Sequence, residues 1–248
     1  SPGFEHQRLR MDPQLASAVM GLVWYAAFII HITFHEAAHA WAAKLLGDRT
    51  AYEGGQVTLN PLPHIEREPV GTILVPIASY LYYTLQYNVG FMFGWAHAPY
   101  DPYWAVRYPR RVAWMAAAGP AANLVIVLIA AIVARIGLMV GWFEFTPTGF
   151  VFLSGEGAWN FVAQFVGVLL FLGMLLFTFN LIPVPPLDGA AIVQLFMPRE
   201  EMAVRWWHFC RQPTVTILGL FAAWAIFGRY GSYLMLPMYY LVVLGLLF

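Results

Sequence analysis

His35-Glu36-Ala37-Ala38-His39 sets two imidazoles and a carboxylate within five residues, inside an apolar run from Leu15 to Leu46. On a helix, residues four apart share a face, so both rings can bind one metal ion. Glu36 projects from the neighbouring surface, where it can serve as general base toward a metal-activated water. The chemistry implied is hydrolysis. In a lipid-spanning helix each of these polar groups needs a partner, which weighs against an accidental match and places the reaction at membrane depth.

Two histidines leave a zinc ion short of a third protein ligand, with the fourth position kept for water. The helix does not supply it, because an extended pattern would need glycine and histidine where Ala42 and Leu45 stand. The chain has four aspartates, Asp12, Asp48, Asp101 and Asp188. Only Asp188 lies against a broken apolar helix, in Asn180-Leu-Ile-Pro-Val-Pro-Pro-Leu-Asp188-Gly189. Prolines remove backbone donors, and lipid tolerates such a break only where the chain lines a cavity. The competing role for Asp188 is a helix N-cap after the proline turn.

The elements that must position these residues are membrane helices. Hydrophobic residues make up 60% of the 248-residue chain and charged ones 10%, with no net charge, which excludes a nucleic-acid binder and a disordered segment. Apolar runs of spanning length make this an all-α polytopic membrane protein of about five to six transmembrane helices. They fall at Leu15–Leu46, Val70–Tyr87, Val112–Ala134, Asn160–Ile182, Thr214–Phe227 and Tyr233–Phe248. Ala51 to Leu59 alternates weakly and reads as a short strand or hairpin near the active site. Ser1 to Arg10, ahead of Met11, read as a tag. Residues 11–248 then form one integral membrane domain, with a catalytic core over about 15–197 and C-terminal helices over about 213–248. Cys210 is the only cysteine, so there is no disulfide framework and no thiolate zinc site.

Asn180, Pro183, Pro185, Leu187, Asp188 and Gly189, taken with the His35–His39 run, match paired motifs of one family. The chain resembles the site-2 proteases, the intramembrane zinc metalloproteases. Thr58-Leu-Asn-Pro-Leu-Pro-His64 and Ala118-Gly-Pro-Ala-Ala-Asn123 look like the compact branch without a PDZ domain. The resemblance covers roughly Ile32 to Gly189. It implies one catalytic zinc on His35, His39 and Asp188, Glu36 as base, and Asn180 as a group that holds the scissile carbonyl or developing oxyanion. The sequence departs from the branch at His97, where lysine is usual, and at Ala190, where a second glycine is common.

Convergence of the ligands constrains the topology. His35 and His39 lie toward the end of their helix, and Asp188 follows the end of another, so those helices must run parallel. Val70 to His97 must then enter and return to the same side, as a re-entrant element or uneven hairpin. That places Lys44, Arg49, Arg67, Arg107, Arg110, Arg111, Arg199, Arg205 and Arg211 on one side and leaves Arg135 and Arg229 on the other. By the positive-inside rule the metal side faces the cytoplasm, in a multi-pass protein expected in a prokaryotic cell membrane.

The expected partners are a membrane protein or peptide substrate and the bilayer, with no nucleic acid. A transmembrane substrate must unwind before hydrolysis, and a strand edge could accept it by main-chain pairing. Candidates for that edge are Val57, Thr58 and Leu59 and the segment from Phe91 to Ala96, above all Phe93, Gly94 and Trp95. Several readings compete at the remaining residues. His31 shares the face of His35 as an outer partner or a fourth ligand; His64 either faces its loop or the site; His97 and His208 read as interfacial. Gly119 to Asn123 reads as packing support for the zinc helix, and the many Trp and Tyr as an interfacial belt. A di-iron oxygenase would need more histidines than the six outside the tag. A transport-type or inactive metal-binding scaffold would have no use for Glu36.

Overall fold

The structure, a computed structural model, describes residues 12–146 and 153–239. The first helix, α1 (Pro13–Leu45), opens at Asp12, whose carboxylate accepts the Gln14 amide at 2.8 Å. Pro13 suits this first turn because its missing N–H would have had no partner there. The connection holds α2 (Thr50–Glu53) and α3 (Leu62–Arg67), and a π-helical turn at Val70–Leu74 leads into α4 (Val75–Tyr87). A short α5 (Pro102–Arg107) precedes α6 (Pro109–Met139). Strands β1 (Glu144–Phe145) and β2 (Leu153–Ser154) pair antiparallel, Glu144 opposite Ser154 and Phe145 opposite Leu153. Then come α7 (Ala158–Asn180), α8 (Asp188–Ile192) with a 3-10 turn at Val193–Phe196, α9 (Glu200–Cys210) and α10 (Pro213–Tyr239).

Four of these helices, α1, α6, α7 and α10, are long and apolar enough to cross a membrane. As far as Tyr239 the two last apolar runs of the sequence share one helix, because Gly228 and Gly231 interrupt the hydropathy of α10 but not its backbone; residues 240–248, like residues 1–11, lie outside the described residues.

Helices α1, α6 and α7 form the core. His39 of α1 meets Met115 of α6, and His31 meets Asn123, so moving back eight residues on one helix advances eight on the other: the pair is antiparallel. Helix α7 returns against α6, burying Ala163, Val166, Leu170 and Met174 on Val127, Ala130, Ala131 and Ala134. It therefore runs parallel to α1, as convergence of the ligands requires. Small residues carry these contacts, since in lipid close backbone approach and van der Waals packing replace the hydrophobic drive. Outward-facing Leu128, Ile129, Ile132 and Ile136 stay exposed, a face suited to lipid tails. Not all the aromatics are interfacial. Trp142 stacks on Trp159 at 4.2 Å beside the β pair, but Trp24 is buried against Phe91 and Phe171.

Val70 to His97 folds as an uneven hairpin. Its helical leg leads from Gly71 to Tyr80, whose hydroxyl donates to the Ser17 carbonyl of α1 at 2.8 Å. Asn88, in the left-handed conformation (φ 53°), ends that leg, and an extended leg returns. Gly90 faces Trp24 and Gly94 faces Phe28, so the return leg advances along α1 toward the histidines. The Trp95 amide donates to the Gly71 carbonyl at 3.1 Å, and His97 pairs with Glu68 at 2.8 Å, closing the hairpin where it began.

The strand expected at Ala51–Leu59 does not form. The Asp48 carboxylate accepts both the amide and hydroxyl of Thr50, seeding the turn of α2, and bends follow Gly55 (φ +70°). Local capping outweighs weak alternation. The only strand pair among the described residues is β1–β2, at the opposite end of α6 from the histidines. Val57–Leu59 and Phe91–Ala96 therefore belong to no ladder, although the second segment is extended.

Closure of the hairpin depends on Gly71, where a Cβ would lie 2.2 Å from the Trp95 carbonyl oxygen; at Gly228 it would meet nothing. Gly71→Ala should cost about 1–3 kcal/mol through overpacking, seen as a fall of several degrees in Tm in detergent, whereas Gly228→Ala should leave Tm level or raise it. Equal Tm for Gly71→Ala and the parent would count against this closure.

Candidate metal centre

His35 lies ten residues before the end of α1, about 15 Å along its axis at 1.5 Å per residue, and His39 about 9 Å. Both are buried, at 5% and 7% exposure, as is Glu36 at 3%. The turn after α7 brings the third group. Gly189 lets that turn fold on itself, since a Cβ there would sit 2.3 Å from the Ile182 carbonyl oxygen and 2.5 Å from that of Leu181. Asp188 begins α8 but makes no capping bond, and so the N-cap alternative fails. Its Oδ2 lies 3.1 Å from His35 Nε2 and its Oδ1 3.4 Å from His39 Nε2, while the two Nε2 atoms are 2.9 Å apart.

This triangle fits zinc. Ligands about 2.0–2.2 Å from a tetrahedral zinc stand roughly 3.3 Å from one another. Asp188 Oδ2, though close to His35, has no aligned hydrogen bond, as expected of atoms converging on a common point rather than on each other. His39 is set for ligation by α6: its Nδ1 lies 2.8 Å from the Met115 carbonyl, which can only accept. Nδ1 therefore carries the proton, and the bare Nε2 faces the cluster. Glu36 Oε2 is buried without a hydrogen-bond partner among the described residues, a carboxylate oxygen left for a group such as water.

Gly119 opens the space. A Cβ there would lie 2.3 Å from His39 Nε2 and 2.6 Å from His35 Nε2, in the space on which the candidate ligand atoms converge. This stretch therefore does more than give the packing support expected of it. The available signal was the four-residue spacing of Gly119 and Asn123, which puts both on one face of α6. Asn123 and His31 are both fully buried and linked, with Asn123 also reaching His35.

The other expected site residues are more dispersed. Asn180 ends α7, and its amide donates to the Leu176 carbonyl at 3.0 Å. Thr58 is engaged within its own loop, its carbonyl accepting from His64 and its hydroxyl from the Asn60 amide; Val57 is half-buried and Leu59 exposed. His64 is buried at 2% by that loop. The amides of Phe93 and Trp95 are committed to the helical leg of the hairpin, through Ser79 Oγ and the Gly71 carbonyl. Gly94 lies between them, close against that leg, since a Cβ there would come 2.2 Å from the Gly71 carbonyl oxygen, and its backbone has no hydrogen-bond partner among the described residues. His208 is exposed, as is His97 apart from its pairing with Glu68. A cavity of about 290 Å³ lies behind the proline turn, lined by Pro185, Leu187, Gln194, Trp207 and Arg211 but by none of the metal-binding three. Cys210 on its wall is no nucleophile, because burial pushes its thiol up to about 11.

The fold and site define a class: a helical membrane protein with a His-His-Asp cluster able to hold a metal ion beside a glutamate. Comparison with known proteins narrows it. The chain is 32% identical over 171 residues to "Putative zinc metalloprotease YwhC" of Bacillus subtilis, covering 68% of this chain and 67% of that protein. It is 29% identical over 164 residues to "Putative zinc metalloprotease Rip2" of Mycolicibacterium smegmatis, covering 66% of this chain and 53% of that relative, so it spans about half the second protein's length. The chain belongs to the site-2 protease family. No family model matches it. No solved structure matches it.

If Gly119 makes room for the ion, Gly119→Ala should reduce zinc content from about one ion per chain to near zero, and Asp188→Asn should weaken binding by removing a charged ligand. Atomic absorption on purified protein of unchanged helicity reads both. Full zinc retention in Gly119→Ala would place the ion elsewhere.

Proposed function

We propose that the chain is a zinc endopeptidase that hydrolyses peptide bonds in or near transmembrane segments of other membrane proteins. The observation that carries this reading is the meeting of His35, His39 and Asp188 beside a buried, unpartnered Glu36 about 9–15 Å below the end of α1. Zinc bound there supplies the Lewis acidity that makes water nucleophilic near neutral pH and polarises a peptide carbonyl. Glu36 takes the proton from the attacking water and returns it to the leaving amine. Asn180 supports the scissile carbonyl with an amide hydrogen, and the free backbone of Gly94 pairs with the unwound substrate. Surrounding helices limit water to what the reaction uses.

A scaffold that binds metal only for structure, or a transporter, would account for the three ligands but not for Glu36. In proteoliposomes, Glu36→Gln should keep its zinc while cleavage of single-span fluorogenic reporters falls by about 10²–10⁴. Equal reporter cleavage in both proteins would sink the protease reading.

We also infer that the metal side faces the cytoplasm of a bacterial cell, from the nine basic residues assigned to that side against Arg135 and Arg229. In intact cells, an impermeant thiol reagent added from outside should modify Arg229→Cys and spare Arg110→Cys, with Cys210 replaced by Ser in both. The reverse pattern would invert the orientation.

A further inference from the structure

We infer that Asn123 and His31 are positioning residues that fix His35 as a metal ligand through a hydrogen-bond chain of one polarity; the inference rests on the metal-binding reading above. Four contacts define the chain. His31 Nε2 lies 2.9 Å from the Leu169 carbonyl of α7. Asn123 Oδ1 lies 3.2 Å from His31 Nδ1, and Asn123 Nδ2 lies 2.9 Å from His35 Nδ1. His35 Nε2 faces Asp188 and His39. His31 and Asn123 have no exposed surface, so water cannot supply a missing partner from bulk.

Donor and acceptor rules then leave one arrangement. A backbone carbonyl only accepts, so the Leu169 contact puts a proton on His31 Nε2. A neutral His31 ring therefore has a bare Nδ1, which needs a donor: the amide nitrogen of Asn123. The amide oxygen must then face His35 Nδ1, where it accepts that ring's proton and leaves His35 Nε2 bare for the metal. Every group in the chain is satisfied, from His35 Nδ1–H through Asn123 and His31 to the Leu169 carbonyl. The opposite amide orientation fails at both ends. It would leave the proton of His35 on Nε2, blocking ligation, and would require a doubly protonated His31 with no carboxylate among its contacts inside a membrane helix. The amide stands in that opposite orientation in the structure. Its oxygen and nitrogen have nearly the same shape, so donor and acceptor rules turn it by half a turn when His35 ligates a metal.

Two glycines allow the chain to assemble. Gly119 lies one turn before Asn123 and clears the ligand space. On α7, a Cβ at Gly173 would come 2.6 Å from His31 Cε1, so only glycine lets α7 bring the Leu169 carbonyl to the ring. His39 solves the same problem in one step, on the Met115 carbonyl. Each metal-binding histidine is thus oriented by a backbone carbonyl of a neighbouring helix, directly for His39 and through two side chains for His35.

The test uses the full chain in detergent micelles. Nitrogen NMR of the zinc-loaded wild type, with histidine labelled at both ring nitrogens, should show His35 protonated at Nδ1 and His31 singly protonated at Nε2. Asn123→Leu, which keeps the volume but removes the acceptor, should weaken zinc binding about 10–100-fold in competition with a chromophoric chelator. Asn123→Asp keeps the acceptor toward His35 and should stay within about threefold of wild type. A purely packing role predicts the reverse order, with leucine the better replacement. That reversed order, a bare His35 Nδ1, or a doubly protonated His31 would overturn the inference while leaving the metal site standing. Absence of zinc from the wild type would overturn the metal reading as well. The NMR measurement needs no variant, so it decides even if Asn123→Leu fails to fold.

Discussion

Inside a hydrocarbon layer, polar side chains can be satisfied only by one another, by the backbone or by an ion. The arrangement of this protein follows from that constraint at one place. His31, His35, Glu36 and His39 occupy successive turns of α1, and each needs a partner that α1 cannot provide. Helix α6 supplies the Met115 carbonyl and Asn123, α7 supplies the Leu169 carbonyl, and the turn after α7 supplies Asp188. Satisfying these groups sets the direction and depth of the three core helices. Apolar contacts such as Val127 with Leu170 and Met174 then fill the space between them.

The small residues show the same logic from the other side. Gly119, Gly173 and Gly189 each stand where a Cβ would collide with a side chain of the site or with the backbone of its supporting turn. They are not generic helix-packing positions; they preserve an ion's space, a hydrogen bond and the reach of a ligand. Pro120, one residue after Gly119, offers no amide to its own helix, and the helix nevertheless continues through it.

The hairpin from Val70 to His97 runs along α1 to the neighbourhood of the site. Its helical leg is held to α1 by Tyr80 and Ser17, and its extended leg passes Trp24 and Phe28 toward His35. One edge of the extended leg is occupied by the helical leg through Phe93 and Trp95. Gly94, between them, has no hydrogen-bond partner among the described residues. Side-chain identity alone did not separate these neighbours, because which edge is used depends on where Gly71 and Ser79 lie in space. For the same reason Val57 to Leu59 looked equivalent until Asp48 and Thr50 formed a turn in place of a strand.

Much of the architecture was legible along the chain. The apolar runs marked the spanning helices, and the four-residue histidine spacing implied one shared face. The proline break beside Asp188, with the requirement that ligands meet, implied parallel α1 and α7 and a returning Val70 to His97. These features are local or follow from connectivity. What only the tertiary structure decided was which atoms face one another: the Met115 and Leu169 carbonyls, the empty volume at Gly119, the bridge of Asn123 between His31 and His35, and the close packing of Gly94 on Gly71. A backbone carbonyl has no residue type and an absent Cβ leaves no mark of its purpose, so their roles appear only when a neighbouring helix arrives. The opening motif supplied the reactive groups; the partners that orient them came from chain segments 76 to 153 residues away.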